Sequence, residues 1–208
     1  MKDNLSYLLS TIEFASAIEN GSNTLNNYEE AILKQQPKWQ QYLEQQSETL
    51  QQAIKIFKNY DKTGKLKFFL QSIKTKNVVL NEGVFKDLVQ YALSAYDHDN
   101  LDDAYKMFSF ISTYYPRHYK TYLYLGSIIQ SLYGPQQASV FFKTTTSIFT
   151  EPDLLFLAAE NEVQCENTAG AYDYLQKAEN ILLERSHLTE EEEGLKIRIE
   201  ELLKIFCS

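Results

Sequence analysis

Residues 85–148 read FKDLVQYALSAYDHDNLDDAYKMFSFISTYYPRHYKTYLYLGSIIQSLYGPQQASVFFKTTTSI, and they carry one pattern twice. Sliding 85–118 against 119–152, a shift of 34, sets Leu88 on Tyr122, Val89 on Leu123, Tyr91 on Leu125 and Ala92 on Gly126. The same shift sets Ala104 on Ala138 and Phe108 on Phe142. Two helices that approach closely need a small residue on the first (Ala92, Gly126) facing a small residue on the second (Ala104, Ala138). A large ring one turn further on, Phe108 or Phe142, fills the gap at the next level. DHDN (Asp97 to Asn100) and LYGP (Leu132 to Pro135) mark the turns inside the two units. Pro135 suits the first turn of a helix.

This order of bulky, small, small and aromatic residues at a period of 34, with Pro152 closing the second unit, is the tetratricopeptide pattern. A third unit follows. Ala159 takes the small position of its first helix, and Ala171, Leu175 and Ala178 repeat the spacing Ala104–Phe108–Ile111. Ala171 lies 33 residues after Ala138, so this unit has lost one residue in its connection, with Asn167 and Thr168 supplying turn and cap. Three units suffice for a stable stack. Beyond them, Thr189 with Glu192 is a capping box, and Glu190 to Glu193 fill a helix start whose dipole favours acids. Leu195, Ile199, Leu202, Leu203 and Phe206 form one apolar stripe. The expected organisation is all-α. A helical flank covers 1–76 and repeats cover 77–186 (85–118, 119–152, 153–184), with a capping helix over 187–208.

The composition agrees. A chain of 208 residues can bury roughly 70% of its unfolded surface. Only 7 glycines and 4 prolines argue against a many-stranded sandwich or barrel. A formal charge of −8 opposes binding nucleic acid through the body of the protein. No stretch approaches the length of a membrane span, so stable membrane insertion is not expected. The start, MKDNLSYLLSTIEFASAIENG, has acids within and after its apolar run and does not read as a secretory signal. Cys165 and Cys207 have no metal-ligand spacing and read as reduced thiols. His98, His118 and His187 fall in turns or at helix ends, and His98 between Asp97 and Asp99 reads as a solvated turn. No phosphate loop, nucleophile elbow or Cys/His pairing is present, so no catalysis, metal or cofactor is expected.

The first eighty residues differ in kind. Tyr7 to Ile18 is a helix candidate closed by Asn20–Gly21, GSNTLNN is a linker, and Tyr28 to Tyr60 reads as glutamine-rich helix interrupted at Pro37. Leu43, Leu50, Ile54 and Phe57 keep a loose heptad-like spacing that suits a self-association seam or a flank laid on the repeats. Residues 55–76 carry 7 basic and 1 acidic side chains, against 10 and 20 for 77–208. The amphipathic KLKFFLQSIKTK (Lys65 to Lys76) could meet a membrane surface, nucleic acid or the acidic repeats. The last is favoured because it is covalently present.

The stretch 85–148, with LFLAAENEVQCENTAGAYDYLQKAENIL (155–182), resembles the class II type III secretion chaperones, the bacterial tetratricopeptide chaperones of translocator proteins. The resemblance lies in the LVQYALSAYDHDNLDDAYKMF first unit, the YLYLG opening of the second and the AAE of the third, and it covers about 85–184. Thr145 and Thr150 stand where alanine and proline are typical of the repeat, and the N-terminal region is longer than the family's. The resemblance implies a cytoplasmic bacterial holdase that grips an extended segment of a hydrophobic secreted client, and a homodimer. The groove would be lined by first-helix positions: Val89, Leu93 and Tyr96, then Lys120, Leu123, Ser127 and Gln130, then Leu157, Asn161 and Gln164. Apolar pockets flanked by amides suit a peptide with apolar anchors. The alternative is a constitutive tetratricopeptide scaffold subunit of a protein assembly.

Overall fold

The computed structural model describes residues 51–67, 69–70 and 82–206, which form helices and connectors. The expectations for Tyr7 to Ile18, for the glutamine-rich stretch before residue 51, for Leu43, Leu50 and Cys207, and for the end of the basic segment lie outside the described residues. The helices are α1 (Glu82–Asp97), α2 (Leu101–Tyr114), α3 (Tyr119–Tyr133), α4 (Pro135–Thr146), α5 (Pro152–Gln164), α6 (Thr168–Glu184) and α7 (Glu190–Phe206). They pair as the repeat spacing predicts: α1 packs on α2, α3 on α4, and α5 on α6. The chain divides into two compact units between His118 and Tyr119.

In the first unit, Leu88, Ala92 and Ala95 of α1 and Ala104, Phe108 and Ile111 of α2 are buried, so both small positions and the ring fall where size complementarity puts them. Residues 51–60 are helical, and Ala53, Ile54 and Phe57 on this helix are buried. Phe57 meets the edge of the Phe110 ring at 5.2 Å, and Phe69 reaches Phe110 and Tyr114, each at 6.4 Å. Of the two roles open to this stripe, self-association seam or flank laid on the repeats, Phe57 shows the second, against α2. The Phe110 ring of α2 gives Phe57 an apolar surface in the same molecule.

Asp61 fixes the turn after this helix. Its carboxylate accepts from the backbone N–H of Leu66 (2.8 Å) and Lys65 (3.0 Å), and from the hydroxyls of Thr63 (3.1 Å) and Tyr91 of α1 (3.0 Å). Burial pushes the Asp61 carboxyl up, but these donors outweigh it and hold the group below its ordinary value. Asn100 adds a second tie, donating to the Tyr60 hydroxyl at 3.1 Å.

In the second unit, an added Cβ at Gly126 would overlap the ring of Phe142, so glycine is what lets α4 lie this close to α3. Gly134, at φ 92° and ψ 168°, turns the chain into Pro135 at the start of α4. That region of backbone space is essentially reserved for glycine. In the other two pairs the turn residue is Asp99 (φ 58°) or Glu166 (φ 59°), in the left-handed helical region. The end of α4 is unusual. Thr144, Thr145, Thr146 and Ser147 each return a hydroxyl hydrogen bond to a carbonyl three or four residues back, at 3.2, 3.0, 2.7 and 2.7 Å.

The local caps form as their spacing predicts. Gly170 N–H donates to Asn167 Oδ1 (3.1 Å) at the start of α6. Before α7, Thr189 N–H donates to Glu192 Oε2 (2.8 Å) and Glu192 N–H to Thr189 Oγ1 (3.3 Å), a reciprocal capping box. Arg185, just past α6, donates to Glu151 at 3.2 Å and also pairs with Glu192, tying the starts of α5 and α7 to the end of α6. α7 buries Ile199 against a cluster that includes Leu155, Phe156, Leu175 and Leu182, with Leu195, Leu202, Leu203 and Phe206 packed around it.

Candidate functional site

The first helix of each pair turns its small residues toward the second helix, which leaves the adjoining stripe of side chains only half covered. On α1 this stripe holds Val89, Leu93 and Tyr96, all half-buried. On α3 it holds Leu123, Ser127 and Gln130, half-buried, and Lys120, exposed at the first turn. On α5, Leu157 is half-buried and Gln164 exposed. α3 packs against α5 as well as α4, so the residues on these two helices belong to one unit; those on α1 belong to the other.

The polar members differ in what they can offer. Ser127 donates to the Leu123 carbonyl of its own helix at 3.2 Å, so its proton is not free for a ligand. Gln130 Nε2 is buried with no hydrogen-bond partner, a donor left in want of an acceptor. Asn161 is a correction: at 0% exposure it does not reach the surface. Its Nδ2 donates to the Pro135 carbonyl at 3.0 Å, bracing α5 on the first turn of α4. On a helix each residue turns the direction by about 100°, so a small register error carries a side chain from a groove into a core.

Charge gathers at the ends of α5. Tyr119 donates to Asp153 Oδ2 at 3.2 Å, and burial together with that carboxylate pushes its phenol up to about 12. Burial pushes the Glu160 carboxyl up, and Arg198 of α7, 3.2 Å away, pulls against that. The Arg198 guanidinium lies 4.5 Å from the centre of the Phe156 ring. Repeat reading missed this Phe156–Glu160–Arg198 group, because nothing local links residues 38 positions apart. A crevice of about 380 Å³ opens between α4, α5 and α6, lined by Thr146, Thr150, Leu155, Tyr174, Lys177, Asn180 and Ile181; none of the expected groove residues lines it.

His98 lies 2.7 Å from the Ser94 carbonyl, which its ring N–H engages. Among the described residues no group of three or more His, Cys, Asp or Glu could hold a metal ion. No described helix is long and apolar enough to cross a membrane.

No protein-family model matches the chain, and no curated protein does either. Solved structures do. The chain is similar to the Yersinia enterocolitica type III secretion translocator chaperone SycD, at 20% identity and a TM-score of 0.54, over 64% of this chain and 96% of that one. It is similar to PcrH from Pseudomonas aeruginosa at 24% identity and a TM-score of 0.55, over 62% and 96%. It is also similar to SycD in complex with a peptide of the translocator YopD, at 21% identity and a TM-score of 0.52, over 61% and 94%. Nearly the whole of each of those proteins thus corresponds to less than two thirds of this one. The chain has the tetratricopeptide-like, all-helical fold of the type III secretion translocator chaperones.

Proposed function

We propose that the protein is a cytoplasmic bacterial chaperone of a type III secretion system. It holds a hydrophobic, translocator-like client soluble by gripping an extended segment of it. The observation that carries this reading is the fold it shares with a chaperone crystallised on a translocator peptide. The half-covered stripes on α1, α3 and α5 supply the chemistry. Val89, Leu93, Leu123 and Leu157 offer apolar contact, while Tyr96, Lys120, Gln130 and Gln164 offer polar groups at its margins. Binding of this kind needs no catalytic group, and none is assigned.

The test is co-expression with type III secretion translocator proteins. The wild-type chain keeps such a client in the soluble fraction and co-purifies with it. Tyr96→Asp and Leu123→Asp, placed in separate units, each place a carboxylate in an apolar contact and release the client while the helical circular dichroism stays unchanged. Soluble client retained by both variants, or no client solubilised by the wild type, rejects the reading.

A further inference from the structure

The protein is acidic overall, yet its described N-terminal flank carries a bare basic stripe. Lys55, Lys58, Lys62, Lys65 and Lys67 are all exposed. Lys55 and Lys58 share one side of the 51–60 helix by their spacing, and Lys62 follows at the next turn. Several of the acids near them are engaged elsewhere. Asp61 is the one acidic residue between 55 and 67, and its oxygens are taken by backbone N–H groups and hydroxyls. Asp87 pairs with Lys65 at 3.5 Å, leaving that lysine side chain 56% exposed. Lys86 of α1 is held by Glu82 at 2.7 Å. The aspartate-rich turn from Asp97 to Asp103 reaches this helix through the Asn100–Tyr60 bond, and Asp103 accepts from Asn100. Lys55, Lys58, Lys62 and Lys67 make no ion pair among the described residues.

We propose that this stripe is a docking surface for an acidic polypeptide segment, distinct from the client-binding stripes. Like charges set along one side repel one another, and a partner bearing carboxylates relieves that repulsion. The neighbouring residues narrow the partner's class. The exposed positions between 51 and 67 are glutamine, lysine, asparagine, threonine and glycine, while Ala53, Ile54, Phe57 and Leu66 are turned inward. A membrane-surface helix needs an apolar face to bury in lipid, and here that face is already covered by the chain's own core. The stripe contains no arginine to fork onto phosphates, and the protein's net charge of −8 repels a polyanion as long as a nucleic acid. A short acidic segment feels the local field and escapes the distant one, because salt screens beyond about 8–10 Å.

The experiment is fluorescence anisotropy with a labelled, glutamate-rich helical peptide titrated with the full-length chain at low salt and at roughly 0.5 M salt. The wild type binds the peptide at low salt and loses it at high salt. Lys55→Gln/Lys58→Gln/Lys62→Gln binds about tenfold more weakly, whereas Lys143→Gln/Lys177→Gln, which leaves the stripe intact, binds as the wild type does. Lys55→Arg/Lys58→Arg/Lys62→Arg, which keeps the charge, restores binding. Absence of binding at low salt, or equal binding by the glutamine triple variant, overturns the proposal. Tighter binding to phosphatidylserine vesicles or to duplex DNA than to the peptide overturns it too, by assigning the stripe to another class of partner. Client solubilisation is read separately and is unaffected by the glutamine triple variant, so failure here leaves the chaperone reading untouched.

Discussion

Gly126 shows how closely two helices can be set by the absence of a single methyl group. Its Cα faces the Phe142 ring so directly that a Cβ would overlap it. Gly126→Ala therefore forces the ring or the helix aside, at a cost of about 1–3 kcal/mol. Urea unfolding should show a lower midpoint at an unchanged slope, partly restored by adding Phe142→Leu; an unshifted midpoint would mean that the pair can separate freely. Ser109 poses the opposite case. Its hydroxyl is buried in the first unit without a hydrogen-bond partner. Such a group costs on the order of 1–3 kcal/mol, so Ser109→Ala should raise stability by about 1 kcal/mol in the same assay. Size complementarity of this kind was legible in the sequence: a small residue opposite a ring at a fixed period leaves few other arrangements. Asn161 was not legible, because its polarity suggested a surface while its rotation about the helix, which spacing alone leaves uncertain, placed it inside.

At the scale of elements, one carboxylate supplies the pH-dependent part of the flank's attachment. Asp61 joins a turn at the end of one helix to Tyr91 of α1, 30 residues away. The donors around it favour the ionised form, so its folded value lies below its unfolded value. The stabilisation it gives is therefore complete above about pH 4 and is lost as pH falls through the folded value. Asp61→Asn should flatten that acid limb in equilibrium unfolding followed from neutral pH downward, and Tyr91→Phe should reduce it. An acid limb identical in all three proteins would show that Asp61 ionisation does not hold the flank. The capping box at Thr189 and Glu192 could be read in advance, since both partners lie within one helical turn. The destination of Ile54 and Phe57 could not. An apolar stripe states that something covers it, and only the folded chain reveals that Phe57 meets Phe110.

For the whole molecule, Ile54 and Phe57, two positions of the stripe that spacing allowed as a self-association seam, are buried. The repeat period makes the order of helices readable in the sequence, whereas ties such as Glu160 to Arg198 span too much chain for any local pattern to announce them. Not every part of the array resists opening equally. The hydroxyls of Thr144 to Ser147 compete for the carbonyls that α4 needs for its own ladder. Limited proteolysis should accordingly nick first between residues 144 and 151, ahead of the connectors at 98–100 and 165–167. Replacing Thr144 and Ser147 with alanine should delay that cut, and an unchanged cleavage order would remove the hydroxyl explanation. A short run of threonines thereby acts as a built-in fuse, fixing where the array gives way under strain and sparing the rest.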